Sequence, residues 1–308
     1  MKIVVTGASG GFGQAAVRLL LARVPLGDLI LMTRKPDKLA EFAALGADVR
    51  YGDFDDPASL RAAFAGGDRL LLISAVKVGH RVAQHGRAID AAKAAGVGHI
   101  VYTSLIGATP ENPAIVSYDH VGTEALLRES GLAWTALRDG QYADAMADAA
   151  APQAIRSGKW FASAAEGRIT FVAREDCIRT AVAVLTGSGH ENRIYNVTAN
   201  ETWSFREVAA LVSGIAGVAI DYVVVSDDEL YALFDSLGIP REPVSEFNID
   251  GFAWCSDDMV SFERAIREGH MAVTSNDIAT LTGTPPVLFR DFMAARANVF
   301  RAIASESA

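Results

Sequence analysis

A chain of 308 residues, 50% of them hydrophobic and 21% charged, is long enough to bury a large core and too apolar to remain disordered. Its net charge of −9, with no basic run, argues against a nucleic-acid backbone or an anionic lipid surface as partner, since both are held mainly by clustered Lys and Arg. The longest apolar stretches, such as Leu70 to Val76, fall far short of the roughly 20 residues that cross a bilayer.

The opening residues carry no charged region, apolar core and cleavage site, so no membrane association and a cytoplasmic location are expected. Cys177 and Cys255 stand far apart without a C-x-x-C partner. The expectation is buried free thiols and no metal site.

Lys2 to Thr6 reads as a buried strand. It runs directly into Gly7, Ala8, Ser9, Gly10, Gly11, Phe12 and Gly13, and then into a helix from Gln14 to Ala22. Strand, glycine loop and helix in that order form a dinucleotide-binding pattern, here spaced G-x-x-G-x-x-G. Gly7 allows the tight turn, Gly10 lets the backbone approach a diphosphate, and Gly13 lets the helix lie close to the strand. The helix N-terminus offers free N–H groups and partial positive charge to the phosphates.

A second strand spans Asp28 to Thr33. An NAD site usually has an acidic residue about 20 positions past the last glycine, but Thr33 stands there. Arg34 and Lys35 follow, and a guanidinium at this turn can pair with the 2′-phosphate of NADP. The third strand, Val49 to Phe54, ends near Asp53, a candidate to face the adenine. The fourth, Arg69 to Ala75, puts Ser74, Ala75 and Val76 at its carboxyl end, beside the cofactor in an open α/β sheet.

A helix from about Val82 to Ala95 leads to a fifth strand, His99 to Ser104. A helix from about Tyr118 to Ser130 leads to a sixth, Ala133 to Leu137, with the turn Arg138, Asp139, Gly140, Gln141, Tyr142 after it. This alternation predicts an α/β fold with a Rossmann-type doubly wound parallel sheet and a smaller C-terminal α/β domain. The NADP-binding domain is expected over 1–150 with 169–190 returning to it, and the substrate or cap domain over 191–308 with 151–168. The later half holds an expected strand at Ile194 to Val197, a capping box at Ser204 and Glu207, and a segment from Pro240 to Gly269, with Trp254 and Cys255, that takes no clear pattern.

Several of these segments resemble the NmrA-like group of atypical short-chain dehydrogenase/reductases: Val5 to Gly10 with Phe12-Gly13, Leu71 to Ser74, Ala91 to Val97 with His99 to Ser104, and Ser130-Gly131-Leu132 with Leu137-Arg138. Within the group the chain is most similar to the bacterial NADPH-dependent quinone reductases of type 2 and to the triphenylmethane dye reductases. The resemblance implies an NADPH site made by Gly7 to Gly13, Arg34, Ser74, Ala75, Val76 and the turn Arg138 to Tyr142. The related reductases carry Asn where this chain has Asp139, which adds a carboxylate near the nicotinamide.

Ordinary short-chain dehydrogenases use a Tyr-x-x-x-Lys pair, whose lysine helps lower the tyrosine pKa. Here Val116 takes the tyrosine position, and His120 and Glu124 match the Lys and Glu of the atypical family's helix. Four apart, they share a helix face, where the carboxylate would orient the imidazole and favour its charged form. His120 then either serves the nicotinamide ribose and a proton, or is a surface residue paired with Glu124. Tyr142, Ser104 and Tyr102 are the other polar candidates near the chemistry.

An electron-poor acceptor needs no strong protein acid, so the expected activity is NADPH-dependent reduction of a quinone or similar aromatic small molecule. The alternatives are a non-catalytic NADP-sensing regulator and a carbonyl, dye, azo or aromatic-ether reductase. A homodimer is left open.

Overall fold

The computed structural model describes residues 1–244, 253 and 255–306. Strands and helices alternate up to residue 139: β1 (Ile3–Val5), α1 (Gly11–Leu21), β2 (Leu29–Thr33), α2 (Ala40–Ala44), β3 (Asp48–Tyr51), α3 (Pro57–Phe64), β4 (Arg69–Leu72), α4 (Arg81–Ala95), β5 (His99–Leu105), α5 (Ile115–Glu129) and β6 (Ala133–Asp139). Next come β7 (Gln141–Tyr142) and α6 (Ala143–Ala145), which continues through a π turn (Met146–Ala150) into α7 (Ala151–Ser157). Then follow β8 (Lys159–Ala162), β9 (Arg168–Ile169), β10 (Phe171–Val172), α8 (Arg174–Thr186) and β11 (Arg193–Val197). The last described elements are β12 (Trp203–Ser204), α9 (Phe205–Ala216), β13 (Asp221–Val224), α10 (Asp227–Ser236), α11 (Ser256–Arg267), α12 (Asp277–Thr282), α13 (Phe289–Ala294) and α14 (Ala297–Glu306).

β1 and β2 are buried at every residue, as strands covered on both faces must be. Alternate side chains go to opposite layers. Ile3, Val5, Leu29, Leu31, Leu71, Val101 and Leu137 pack with α1 and α8, while Val4, Ile30, Leu70, Leu72, Ile100 and Tyr102 pack with α3 and α4. The result is one parallel seven-stranded sheet of order β11-β6-β5-β4-β1-β2-β3. Strand order reverses between β1 and β4, so the ligand crevice of this doubly wound sheet lies beyond the carboxyl ends of those two strands.

Three sequence expectations need correction. The boundary at 191 would leave Ile194 to Val197 outside the sheet, yet β11 pairs with β6 over five residues, Arg193 with Thr135 through Val197 with Asp139. That pairing also extends β6, so Arg138 and Asp139 are strand residues, and only Gly140 separates them from β7. Finally, α5 begins at Ile115, not near Tyr118. Its first amides are satisfied from a distance, Ile115 N–H by Ser261 Oγ at 3.1 Å and Val116 N–H by Asp258 Oδ1 at 3.3 Å, both from α11. No local cap was there to be read.

Beyond β7 a separate apolar cluster forms around Trp160, Phe171, Trp203, Phe289 and Phe300. Phe171 and Phe289 stack at 4.2 Å, and β8 pairs with β13 and β9 with β12. Val78, Ile106 and Val116 belong to this cluster too, so the loops after β4 and β5 are held against it. Trp254 lies outside the described residues. Cys255 is buried at the start of α11, and burial pushes its thiol up to about 11.

Candidate functional site

The glycine loop closes the crevice at β1. Gly7 takes φ +57°, a left-handed conformation that suits glycine. Gly13 is fixed by contact instead: a Cβ there would stand 2.4 Å from the Gly7 carbonyl oxygen, so α1 can lie against the turn only without a side chain at 13. Gly10 N-caps α1 and no side chain caps its first turn. Those amides, on a cradle that a Cβ would fill, suit a diphosphate.

Ser9 Oγ meets Thr33 Oγ1 at 2.6 Å, tying the loop to the end of β2. Arg34 and Lys35 follow immediately, both exposed and neither with a side-chain partner among the described residues. Asp53 lies at the end of the neighbouring edge strand, where its Oδ1 accepts from Asp55 N–H at 3.0 Å inside its own turn.

After β4 the chain is pinned on both sides. Ser74 N–H donates to Thr103 Oγ1 at 2.9 Å and Ser74 Oγ donates to the Thr103 carbonyl at 2.8 Å. Ala75 N–H donates to His85 Nε2 at 3.0 Å, so the His85 proton sits on Nδ1 and goes to Thr123 Oγ1 at 2.9 Å. The Val76 carbonyl accepts from Arg81 Nη2 at 3.1 Å. Ser74, Ala75 and Val76 therefore form a rigid wall at the switch point.

His120 belongs to this network and not to Glu124. Arg81 Nη1 lies 3.3 Å from His120 Nε2, and because a guanidinium only donates, that nitrogen is the acceptor. Nδ1–H then faces the Tyr102 hydroxyl at 2.8 Å. The ring is 4% exposed, and burial, then the Arg81 charge, hold its pKa well below the ordinary value. The expectation of a charged imidazole oriented by Glu124 is thus overturned, as is that of a helix-surface pair. A buried neutral ring links α5 to Arg81 and so to the loop after β4. Arg81 itself had no signal in the sequence, being one more cation at a helix start.

His120→Ala is expected to cost about 1–3 kcal/mol, because the Tyr102 hydroxyl and one Arg81 N–H lose their partner in the interior. Urea denaturation measures this, and a variant as stable as the parent would show that the ring bridges nothing.

Glu124 is 1% exposed and gathers four donors: Ser104 Oγ and Arg138 Nε on Oε1, Arg138 Nη2 and Arg128 Nη2 on Oε2, each at 2.8 Å. Ser104 and Arg138, expected as catalytic and cofactor residues, thus have the Ser104 hydroxyl and the Arg138 Nε and Nη2 donors engaged in this ion-pair cluster. Arg138 Nη2 also reaches the Ala108 carbonyl at 3.0 Å.

At the end of β6, Asp139 Oδ2 accepts from the Tyr142 hydroxyl at 3.0 Å. Asp139 Oδ1 is buried without a hydrogen-bond partner among the described residues. Burial pushes the carboxyl up to about 7, with the Tyr142 hydroxyl and the Cys177 thiol working against that rise. The same burial, with Asp139 beside them, pushes the Tyr142 phenol and the Cys177 thiol well above their ordinary ranges. Gly140 fits closely here, since a Cβ would stand 3.0 Å from the Thr170 carbonyl oxygen. Gln141 donates its N–H to that same carbonyl at 3.1 Å.

A family profile described as NAD(P)H-binding matches residues 7–187, well over half of the chain and the span that holds every feature just described. The chain belongs to this NAD(P)H-binding family. It is 32% identical to quinone oxidoreductase 2 of Escherichia coli over 96% of its own length and 99% of that protein, and 31% identical to the NAD(P)H azoreductase of Xenophilus azovorans over 97% and 99%. The crystal structure of the Escherichia coli enzyme with NADPH superposes with a TM-score of 0.86 at 32% identity, covering 95% of this chain and 99% of that one. Triphenylmethane reductase of Citrobacter sp. with NADP(H) does so with 0.84 at 30%, covering 96% and 100%. In doubly wound sheets of this order a dinucleotide lies across the switch point.

Proposed function

We propose that the protein is an NADPH-dependent reductase of quinones and similar electron-poor conjugated acceptors. The observation that carries the reading is position 116. The helix that holds the tyrosine acid in ordinary short-chain dehydrogenases presents Val116 to an apolar cluster, and His120 one turn on is neutral and buried. A ketone would need an acid there, whereas a quinone takes up reducing equivalents readily and its oxygens can be protonated by water. The names of the two curated relatives, a quinone oxidoreductase and an azoreductase, support the same acceptor class.

Bound NADPH supplies the hydride. The residues proposed to hold it are Gly7 to Gly13 for the diphosphate, Arg34 with Lys35 for the 2′-phosphate, and the wall Ser74 to Val76 with Gly140 to Tyr142 for the nicotinamide end. Of the expected catalytic residues, Tyr142 is the one we keep. Its phenol is too weak an acid to release a proton alone, but with the hydroxyl turned outward a protonated Asp139 can donate from Oδ2, replace the proton Tyr142 passes to the acceptor, and regain its own from water. We assign the acceptor side to the cluster around Trp160, Trp203 and Phe289, built from 151–168 and from 198 onward. The reading places the enzyme in the cytoplasm, where thiols such as Cys177 and Cys255 stay reduced.

A screen that follows NADPH oxidation with simple quinones, triphenylmethane dyes, azo dyes and ketones tests this. Turnover is expected with the first three and not with the last. Tight binding of both cofactor forms with no turnover would favour a sensor instead.

The 2′-phosphate assignment predicts that Arg34→Ala weakens NADPH roughly 10- to 100-fold, the range of a charge-assisted hydrogen bond, with little change for NADH. Titration of both cofactors decides it, and equal losses would remove the assignment.

A further inference from the structure

One cation near the glycine loop comes from well outside the sequence pattern that announces the cofactor. Arg174 opens α8, about 160 residues after the loop it faces. A Cβ on Gly11, the first residue of α1, would stand 4.0 Å from Arg174 Nη1. The other end of the guanidinium is tethered: Nη2 lies 3.2 Å from Asp144 Oδ1, and Arg174 N–H donates to Asp144 Oδ2 at 3.0 Å. The Arg174 side chain is 39% exposed, so it has an open side, while Asp144 is largely covered. Its charge also reaches Tyr142, where it favours the ionised phenol. The guanidinium therefore lies between the first turn of α1 and the residue that closes the nicotinamide end.

We propose that Arg174 binds the diphosphate of the dinucleotide from the side opposite the α1 amides, with Asp144 holding the guanidinium in place. The charge balance favours such a group. A diphosphate carries about two negative charges, and a helix N-terminus offers only about half a positive one. Arg34 and Lys35 stand at the end of β2 and serve the 2′-phosphate. Arg174 supplies a guanidinium whose Nη2 is paired with Asp144 and whose open side keeps N–H donors in the planar geometry that matches phosphate oxygens. The proposal rests on cofactor binding and not on which acceptor is reduced.

Equilibrium titration with NADPH and with NADH, read by fluorescence or calorimetry, tests it without any acceptor present. Arg174→Ala is expected to weaken both cofactors by the same factor, roughly 10- to 100-fold, and Arg174→Lys, which keeps the charge and loses the fork, by less. The unfolding midpoint of each variant without cofactor is measured alongside. An unshifted midpoint with equal losses supports the assignment. Parent-like affinity, a loss confined to NADPH, or equal losses in Arg174→Ala and Arg174→Lys that follow a lowered midpoint would overturn it. Should the quinone reading fail, binding would be intact in the parent without turnover. Failure of the Arg174 assignment would show as intact binding in the variant.

Discussion

Replacing Glu124 by alanine is expected to destabilise the protein by about 3–5 kcal/mol, the cost of removing one partner from a buried ion pair. Arg138 is 17% exposed, and without Glu124 its one remaining acceptor among the described residues is the Ala108 carbonyl. Ser104 Oγ, 4% exposed, would lose its acceptor as well. Arg128 contributes less to the loss, because it is nearly half exposed and keeps its place over the Trp134 ring.

The double variant Glu124→Leu/Arg138→Met should recover much of that stability, since it removes both charges and leaves apolar volume. Chemical denaturation of Glu124→Leu, Arg138→Met and the double variant measures the coupling. A loss below about 1 kcal/mol in Glu124→Ala would mean that the cluster is solvated and not a fastener between α5, β5 and β6. Because these three elements also carry His120, Tyr102 and Asp139, cofactor affinity should fall together with stability.

The same cluster explains why the fold was more legible in the sequence than the site. The glycine loop could be read because its demand is local: each glycine answers to backbone within a few residues, as Gly13 does to the Gly7 carbonyl. The sheet could be read because strands buried on both faces have nowhere to put polar residues. His120 and Glu124 sit one helical turn apart and suggest each other as partners, but both lie on the buried face of α5. There Tyr102 and Ser104, two apart on one side of β5, each take one of them. Spacing along a helix names a possible partner, and the strand packed beneath decides. The last strand was expected over Ile194 to Val197, but its place in this sheet escaped for a related reason. β11 is an edge strand with exposed Arg193 and Ile194, so it lacks the apolar run that marked the interior strands. Arg174 was missed because its approach to Gly11 depends on α8 folding back onto α1.

Asp139→Asn is expected to stabilise the protein at pH 8 and to leave it nearly unchanged at pH 4. The folded chain holds the Asp139 proton up to about pH 7, whereas the unfolded chain releases it near the ordinary value of 3.8. Stability that Asp139 contributes is therefore complete below about pH 4 and is lost as pH rises toward 7. The full difference is about 4 kcal/mol at most, from roughly 1.4 kcal/mol for each unit of pKa. Asn cannot ionise and can still accept from Tyr142, so the variant should gain on the parent over that interval and hold the gain above it.

Asp258 and Glu263 are also pushed up by burial, to about 6 and about 7. They bend the pH curve of both proteins alike, and the difference between parent and variant isolates Asp139. Thermal unfolding across pH 4–8 supplies that difference, and parallel curves would place the Asp139 carboxylate in contact with solvent. If Asp139 also restores the proton that Tyr142 passes to the acceptor, the more stable variant should be the slower one with quinones. A buried carboxylate that lowers stability near neutral pH is then retained for its proton.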